Sequence, residues 1–419
     1  MSVYKKIIIV NVFGRTNAGD AALIESLVNS LQAVFGKDIK MAGLAVFDEL
    51  EKTHLPEIEW YQRIGASQRE RLITKYIFSI FYIAVSFFYA LMTRLGCRYQ
   101  KMLILLPKKQ RESIHVMEES DIVISCPGGY FGDWNKSFLL NAYQLLIALL
   151  LNKPFILAPQ TIGPISGYIP KNFLAYIFKN SKHIYVRETI SANFLKSKLK
   201  ISESKISLAQ DMAFSHSKID KKIARATIAE LGIDPTKPFL GCSVVYWPFY
   251  RKDVKSMYEK KVAKFLALSR DLCSMPILIV NQVNTDIQSA LRISALAGKN
   301  VIVDIKLRDL SVVKGMISMC KVFVGSRLHS SIFALNEYVP TYVLSYNYKA
   351  EGILNDIGIS DRCINRASFN PDALSRKIKY DCDHFDDVST YIKTLISAYK
   401  AKYPDFTTLL NNSLKEGSL

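Results

Sequence analysis

The sequence predicts an α/β protein with two Rossmann-like domains that face each other across a central cleft. Two observations carry this prediction. Short apolar runs, typical of buried parallel strands, alternate along the chain with helical patterns. The chain has 419 residues, enough for two domains, and its hydrophobic content of 49% is that of a well-cored globular protein.

The strands are expected in two series, one for each domain. The first series is Lys6 to Phe13, Ile39 to Val46, Asp121 to Cys126, Pro154 to Pro159, His183 to Arg187 and Lys205 to Ala209. The second series is Phe239 to Tyr246, Pro276 to Asn281, Asn300 to Ile305, Lys321 to Gly325 and Val339 to Ser345. A polar stretch over 217–236 separates them and predicts a linker with a short helix.

This pattern divides the chain into three parts. Residues 1–215 are expected to form the N-terminal Rossmann-like domain, with a basic, apolar helical insert over 62–111. Residues 216–382 form the C-terminal Rossmann-like domain. A C-terminal helix and tail, 383–419, is expected to pack back on the N-terminal domain.

Cysteine usage and the amino-terminal segment indicate a cytoplasmic protein. The seven cysteines are scattered, odd in number and mostly inside apolar runs, which is typical of reduced core residues. The first apolar run lacks a small-residue cleavage site and fits a first strand better than a signal peptide. We expect no metal, because the acidic cluster from Tyr380 to Asp387 suits helix capping and no ligand spacing is visible.

The net charge of +18 is concentrated in the insert. Ten Lys or Arg and a single acid, Glu70, lie between Arg63 and Arg111, on both sides of the uncharged run from Tyr76 to Thr93. That run is slightly shorter than the roughly 20 residues of a membrane span. A helix that dips into an anionic cytoplasmic leaflet, with the bases over the headgroups, agrees with both features.

The insert has two other interpretations. A helix buried in the domain or in a dimer interface is about as well supported, and a monomer and an oligomer both remain open. Nucleic-acid binding is disfavoured, because the basic residues bracket an apolar block instead of alternating with aromatic residues.

Three loops at the carboxyl ends of predicted strands suit the binding of anions or hydroxyl-rich ligands. They read "VFGRTNAGDAAL", "SCPGGYFGDW" and "APQTIGP". Backbone amides at a helix start attract phosphate, glycines allow close approach, and carboxylates accept sugar hydroxyls. The residues of interest are Asn17, Gly19 and Asp20 in the first loop, Gly128, Gly129 and Asp133 in the second, and Gln160 in the third.

Basic and titratable side chains also lie at strand ends. They are Arg187 in "YVRETIS", Arg327 and His329 in "SRLHSS", and Lys349 in "YNYKAEG". A structural ion pair is the commoner explanation for any single one of them. Their shared position at carboxyl ends of strands favours a binding site, because open α/β sheets bind ligands there.

Seven short motifs occur in order between about Val10 and Gly352: "NAGDAAL", "PGGYFGD", "PQTIGP", "VRETIS", "AQDMAF", "GSRLHSSIFAL" and "VPTYVLSYNYK". In these motifs the chain resembles the polysaccharide pyruvyl transferase family. The resemblance implies a GT-B-like architecture and transfer of pyruvate from phosphoenolpyruvate to two hydroxyls of one sugar, as a ketal. Phosphoenolpyruvate would be a co-substrate, with no cofactor, and the acceptor a glycan or a lipid-linked oligosaccharide.

The resemblance also implies residue roles, with the donor on the C-terminal domain and the acceptor on the N-terminal domain. Phosphoenolpyruvate would be bound by Arg187, Arg327, His329 and Lys349, whose charges suit a carboxylate and a phosphate. His329 is expected to be the general acid, since imidazole titrates near neutrality, and Asp20 or Asp133 to orient or deprotonate the acceptor hydroxyl. The acceptor sugar is expected at Asn17, Gly19, Asp20, Gly128, Gly129 and Gln160.

Two rival functions remain at the level of sequence. A nucleotide-sugar-dependent glycosyltransferase would share the GT-B-like fold and would bind a uridine nucleotide in place of phosphoenolpyruvate. A nonenzymatic interaction protein would keep the basic, apolar insert and would be unaffected by loss of His329.

Overall fold

The protein forms two compact α/β units. The computed structural model describes residues 4–14, 17–46, 54–69, 71–97, 99–246, 252–345 and 348–416. The first unit comprises residues 1–15, 23–212 and 404–419, and the second comprises 16–22 and 213–403. Glu70 and Arg98 of the predicted insert and Tyr346 and Asn347 of the last motif lie outside the described residues.

The first unit contains a parallel sheet. Its strands are β1 (Lys6–Val12), β2 (Lys40–Ala45), β3 (Ile58–Gln62), β4 (Ile122–Ser125), β5 (Gly128–Phe131), β6 (Phe155–Ile162), β7 (His183–Val186) and β8 (Ile206–Leu208). The strand order is β3-β2-β1-β4-β6-β7-β8, and β5 pairs with the far end of β6. The order reverses between β1 and β4, which is the switch point where such sheets bind ligands.

Seven helices accompany this sheet among the described residues. They are α1 (Ala18–Phe35), α2 (Leu72–Arg94), α3 (Lys108–Glu119), α4 (Phe138–Leu150), α5 (Tyr168–Lys179), α6 (Thr189–Lys198) and, from the end of the chain, α15 (Phe406–Lys415). The central strand β1 has no exposed surface from Ile7 to Val10. Such a continuous apolar run is expected of a parallel strand covered on both faces.

The second unit contains a six-stranded parallel sheet. Its strands are β9 (Leu240–Ser243), β10 (Ile277–Ile279), β11 (Val301–Val303), β12 (Val322–Gly325), β13 (Thr341–Ser345) and β14 (Cys363–Asn365). The order β11-β10-β9-β12-β13-β14 is the common order of dinucleotide-binding folds, with a switch point between β9 and β12.

Eight helices surround the second sheet in the part of the chain that the structure describes. They are α7 (Lys221–Glu230), α8 (Lys252–Cys273), α9 (Asn284–Ala297), α10 (Leu310–Ser318), α11 (Leu328–Asn336), α12 (Tyr348–Ile357), α13 (Pro371–Asp383) and α14 (Phe385–Lys402). One face of the sheet packs against α8, through Val262, Phe265 and Leu266, to form the core of this unit.

All eleven strands expected from the sequence are present, and three further strands were missed. β3 and β14 are short edge strands with polar residues, so their apolar signal is weak. The segment Gly128–Phe131 was predicted to be part of a loop, and this is wrong because it forms β5. Gly128 has a φ of +148°, which a residue with a side chain rarely adopts, and its pairing with Gln160 extends the sheet past the end of β4.

The carboxyl-terminal part of the chain is divided between the units. The prediction that 383–419 packs back on the N-terminal domain is wrong for 383–403, because Ile392 and Ile396 of α14 are buried within the second unit. The reason is an apolar stripe on α14 that packs against α11 and α12. Residues 404–419 lie with the first unit, where the Phe406 ring meets Tyr185 at a centroid distance of 5.1 Å.

Helix α2 contains the apolar run of the insert. Its buried residues, among them Tyr82, Val85 and Tyr89, form one face, while Ile73 and Ile77 belong to a face that is exposed. Among the described residues α2 is the one helix long and apolar enough to cross a membrane, and 28% of its apolar window is buried. Burial within the domain therefore accounts for only one face of the helix.

Candidate active site

The carboxyl edge of the second sheet is organised around the seam between β12 and α11. Ser243 Oγ lies 2.7 Å from Ser330 Oγ, which joins the end of β9 to α11, and Tyr258 Oη of α8 lies 2.8 Å from the Oγ of Ser326, which follows β12. A Cβ on Gly325 would lie 2.0 Å from Ser331 Oγ. A side chain at position 325 would therefore displace the Ser331 hydroxyl.

Arg327 is held at this seam by a carboxylate. Its Nε and Nη2 both donate to Asp286 in the first turn of α9, and the Nη2 distance is 2.8 Å. Asp286 also accepts a hydrogen bond from the Tyr246 amide at 2.8 Å. Asp286 is buried, so the pair fixes the guanidinium in place and neutralises much of its charge.

His329 packs against the first turn of α1, within the second unit. A Cβ on Gly19 would lie 2.0 Å from His329 Nδ1 and 2.8 Å from its Cβ. Both the ring and its attachment are therefore too close for any side chain at position 19. The absence of a side chain on Gly19 is what lets the imidazole lie against the start of α1.

Asn17 caps α1 beside this contact. Its Oδ1 accepts a hydrogen bond from the Gly19 amide at 3.0 Å, and its Nδ2 donates to Asp20 Oδ2 at 3.2 Å. Asp20 is part-buried in the first turn of the helix, where the backbone dipole favours negative charge. The capping residue is thus Asn17, and Asp20 is oriented by it.

The other cation expected in this unit is Lys349, in the first turn of α12. It is half-buried, and α12 follows β13, the neighbour of β12 in the sheet. Arg327, His329 and Lys349 therefore follow two adjacent strands at the same edge, and residues 17–20 lie in the same compact unit. The structure brings these predicted residues to one end of the second unit.

The second unit also holds a cavity of about 300 Å³ lined by α8 and by residues after β9 and β14. Tyr246, Lys255, Glu351 and Arg366 are among its lining residues. Its volume is at the lower end of the about 300–1,000 Å³ that is usual for small-molecule sites. None of the predicted donor-binding residues is part of its described lining.

Arg187 lies at the carboxyl edge of the first sheet and is fully buried. Its Nη1 donates to Asp211 at 2.7 Å, its Nε donates to Thr161 at 2.8 Å, and Glu188 Oε2 lies 3.6 Å from Nε. Burial lowers the pKa of Arg187, but Asp211 and Glu188 outweigh burial and raise it. Arg187 is therefore a charged residue at the centre of a buried ion-pair network.

Glu188 is the unusual member of that network. Burial raises its pKa to about 7, and the nearby Arg187 and the hydrogen bonds from Ser191 and Thr161 offset only part of this effect. The carboxyl group therefore titrates close to neutral pH. A raised pKa of this kind at a strand end is a feature of functional sites as well as of structural networks.

The remaining predicted residues of the first unit differ in exposure. Gln160 is fully buried in β6 and donates to the carbonyl oxygen of Cys126, directly after β4. Its hydrogen bond therefore holds the loop that follows β4. Asp133 is exposed, and its Oδ2 accepts hydrogen bonds from the Ser166 amide at 2.8 Å and hydroxyl at 2.7 Å. Gly128 and Gly129 form the first half of β5.

Sequence reasoning missed two residues at this edge. Asn11, near the end of β1, is buried with a left-handed φ of 64°, and its Oδ1 has no hydrogen-bond partner in the described structure. Arg63 follows β3 and was counted only as one of the insert's charges. The signals were an Asn inside "IIIVNVFG" and an Arg directly after the strand "IEWYQ".

Arg63 belongs to a chain of contacts along the carboxyl edge. Its guanidinium carbon lies 5.8 Å from the centroid of the Phe13 ring, and Phe13 stacks on Tyr130 at 4.7 Å. Rings of this kind are suitable surfaces for a sugar. No group of three or more His, Cys, Asp or Glu that could hold a metal occurs among the residues that the structure describes.

Two parallel sheets with reversed strand order, each carrying polar and charged residues at its carboxyl edge, define a GT-B-like protein of two Rossmann-like domains. The family model of polysaccharide pyruvyl transferase matches residues 17–348, most of the chain. The chain therefore belongs to the polysaccharide pyruvyl transferase family. The amylovoran biosynthesis protein AmsJ of Erwinia amylovora is 21% identical over 309 residues, covering 69% of this chain and 72% of AmsJ.

Solved structures with the same fold are more distant in sequence. A glycosyltransferase from Rickettsia africae superposes with a TM-score of 0.60 at 13% identity, covering 99% of this chain and 98% of its own. Anabaena Alr3699/HepE, in complex with UDP and glucose, gives 0.59 at 10% identity and covers 99% of each chain. UDP-GlcNAc 2-epimerase from Neisseria meningitidis gives 0.59 at 11%, covering 98% and 100%. At these identities the likeness concerns the fold.

Proposed function

We propose that this protein transfers pyruvate from phosphoenolpyruvate to two hydroxyls of a sugar in a cell-surface glycan or its lipid-linked precursor. Membership of the polysaccharide pyruvyl transferase family and the relation to an amylovoran biosynthesis protein support the reaction class. The single observation that carries the residue roles is the packing of His329 against Gly19. The His329 ring lies against the residue that precedes Asp20 in the first turn of α1.

Phosphoenolpyruvate carries a carboxylate and a phosphate, so its site needs several fixed cations. In the proposal Lys349 and His329 supply charge and hydrogen bonds at the start of two helices, where backbone amides also favour anions. Asp286 neutralises much of the charge of Arg327, so the proposed role of Arg327 depends more on its fixed position than on its charge. Arg187 remains a proposed donor residue, and its network with Asp211 and Glu188 would keep it charged and oriented.

The reaction needs a proton at the methylene carbon of phosphoenolpyruvate. His329 is proposed to donate it, which gives oxocarbenium character to the adjacent carbon. One sugar hydroxyl then attacks this carbon, phosphate departs with the carbon–oxygen bond electrons, and the second hydroxyl closes the ketal. Atoms balance, since the acceptor gains phosphoenolpyruvate less phosphoric acid.

One of the two carboxylates is the better candidate for the acceptor hydroxyl. Asp133 is exposed and already accepts two hydrogen bonds from Ser166, which suits a structural role in that loop. Asp20 is part-buried, oriented by Asn17, and next to the residue that meets His329. We therefore propose that Asp20 orients or deprotonates the acceptor hydroxyl. We also propose that Asn11, Gly128 and Gly129 help to hold the sugar.

The donor used by the protein tests this proposal. The purified chain is incubated in excess chelator with a panel of free and lipid-linked glycans and with either phosphoenolpyruvate or a uridine-diphosphate sugar. We expect binding and consumption of phosphoenolpyruvate without added metal, because Arg and Lys supply the countercharge. Consumption of the uridine-diphosphate sugar instead would show the glycosyltransferase alternative, which shares the fold. A requirement for magnesium or manganese would contradict the metal-free site.

The same proposal includes a location at the inner face of the cytoplasmic membrane. The exposed apolar face of α2, which we define by Ile73, Ile77, Phe81 and Phe88, supports contact with lipid. Arg71 and Lys75 are exposed at the beginning of the helix, where they suit anionic headgroups. A lipid-linked acceptor would be assembled at this surface.

A further inference from the structure

A large apolar groove lies in the first unit, beside α2. Its volume is about 1090 Å³, and it is bounded by α2, by the first two turns of α4 and α5, and by residues 62–68. Typical small-molecule sites measure about 300–1,000 Å³, so the groove exceeds what one sugar needs. The apolar residues that line it include Leu72, Tyr76, Ile80, Ile83, Leu139 and Ile169.

The composition of the lining indicates a hydrocarbon ligand. Branched aliphatic side chains from three helices form the walls, and several of them are exposed to solvent in the described structure. Exposed apolar surface on this scale is costly unless a ligand, lipid or partner covers it. Polar residues, such as Gln62, Lys75 and Lys136, are the minority of the lining, whereas a glycan would require polar groups along all the walls.

The inner end of the groove carries a buried cation. Arg63 lines the groove and is 4% exposed, and its Nε has no hydrogen-bond partner among the described residues. One amino group of its guanidinium donates to Asn141 Oδ1, and no described carboxylate pairs with it. Burial lowers the pKa of Arg63 to about 10, so it remains charged at neutral pH.

A buried, unpaired arginine is expensive unless an anion compensates its charge. The cation lies at the carboxyl edge of the sheet, because Arg63 directly follows β3 and the groove also contacts Ala45 and Val46 at the end of β2. The apolar side of the lining includes Leu72, Ile80 and Ile83 of α2. The occupant that fits has an anionic group at one end and a long apolar chain at the other.

We propose that this groove binds the lipid-phosphate part of the acceptor, with the phosphate at Arg63 and the hydrocarbon chain between α2 and α5. This inference rests on the proposed function for the identity of the acceptor, and it narrows the substrate class to sugars linked through phosphate to a long lipid. The sugar would then lie at the carboxyl edge of the first sheet, near the Phe13–Tyr130 pair.

Farnesyl phosphate is the probe, and farnesol and dihexanoyl phosphatidylglycerol are the comparison ligands, all dispersed below their micelle concentrations and measured by calorimetry on the full chain. We expect farnesyl phosphate to bind about 10-fold or more tightly than farnesol, because a charge-assisted hydrogen bond to a buried arginine contributes on that scale. Arg63→Met should remove this preference, and Arg63→Lys should restore part of it. If Arg63→Met still bound farnesyl phosphate as much more tightly than farnesol as wild type does, the proposed phosphate site would be wrong.

Two isoleucines provide the matched test of the groove. Ile80 lines it and is 67% exposed, whereas Ile104 is 69% exposed in the same unit and does not line it. Ile80→Asp should weaken both farnesyl ligands about 10-fold or more, and Ile104→Asp should leave them unchanged. Equal effects would mean surface adsorption and would overturn the proposal. Because both side chains are exposed, this pair remains informative even if Arg63→Met fails to fold.

The comparison lipid separates the two sources of a lipid phosphate. If the phosphatidylglycerol bound as tightly as farnesyl phosphate and responded equally to Ile80→Asp, the groove would hold a bilayer lipid and the assignment to the acceptor would be wrong. No donor is present in these measurements. Failure of pyruvyl transfer with intact farnesyl phosphate binding would therefore contradict the proposed function alone, and the reverse result would contradict the groove alone.

Discussion

His329 is the residue on which the proposed chemistry depends most. If it protonates the methylene carbon, His329→Ala should lower turnover by about 100-fold or more, as is usual for loss of an acid–base group. The fold should be intact, since the ring is half-buried at a helix start. His115→Ala, an exposed histidine on α3, serves as the control. Turnover within a few-fold of wild type would remove His329 from catalysis.

The contact between Gly19 and His329 makes a second residue-scale prediction. Gly19→Ala should lower turnover about as much as loss of the imidazole, because a Cβ there would lie 2.0 Å from Nδ1 and displace the ring. The new Cβ would also lie 2.8 Å from the His329 Cβ, so the first turn of α1 must shift and the melting temperature should fall as well. The measurement is turnover and Tm on the same preparation. Normal turnover in Gly19→Ala would show that the ring can move without consequence.

Glu188 predicts a pH dependence of stability. Its pKa is raised to about 7 in the folded protein by burial, so folding favours the protonated carboxyl group. This contribution is complete below the unfolded pKa near 4.5 and is lost as pH rises through about 7. Glu188→Gln, which cannot ionise, should match wild type near pH 5 and be more stable by about 1–3 kcal/mol near pH 8. Chemical denaturation of both proteins at both pH values measures the free energy of unfolding. If the difference between variant and wild type were the same at the two pH values, the prediction would be contradicted.

The location of the candidate residues in the fold was easier to predict for the second unit than for the first. Arg327, His329 and Lys349 follow apolar strands directly, so their placement at one edge is a consequence of parallel topology. Asn11 and Arg63 could not be predicted in the same way. Their significance depends on a left-handed backbone angle and on the lack of a carboxylate partner, and both arise from tertiary packing.

At the scale of single elements, α2 makes the clearest prediction. The wild-type protein should cosediment with vesicles that contain phosphatidylglycerol, and high salt should weaken this binding by screening the basic residues. Ile73→Asp combined with Ile77→Asp should reduce binding about 10-fold or more, because two apolar side chains would leave the lipid. Both side chains are exposed, so the variant should keep its melting temperature.

Ile223→Asp, on the exposed surface of α7 in the second unit, is the matched control for this experiment and should bind vesicles normally. Equal binding to neutral and anionic vesicles, or none to either, would contradict the role of charge. A change in oligomeric state without any vesicle binding would show instead that the exposed face of α2 is an interface between copies of the chain.

Elements were predictable where one physical signal dominated. The buried parallel strands gave continuous apolar runs, whereas β5 begins with two glycines and forms only because it can pair with the end of β6. For α2 the composition indicated an apolar helix but could not distinguish a buried face from an exposed one. The packing of Tyr82, Val85 and Tyr89 decides this, and it depends on neighbours distant in sequence.

At the scale of the whole molecule, each unit supplies a part of the proposed reaction. The second unit carries His329, Lys349 and Asp20, and the first carries the groove with Arg63 and the network around Arg187. Both sheets have the reversed strand order of Rossmann-like domains, which explains why the fold class could be predicted from the sequence. The identity of the acceptor did not follow, because it depends on cavity shape.

The most direct test of pyruvyl transfer is a mass balance on a single reaction. The full chain is incubated in excess chelator with carbon-labelled phosphoenolpyruvate and a lipid-linked glycan panel, and released phosphate and acceptor mass are measured together. We predict one phosphate for each labelled acceptor, with an acceptor mass increased by pyruvic acid less water. Phosphate release without label on any glycan, or label transferred together with the phosphate, would contradict ketal formation.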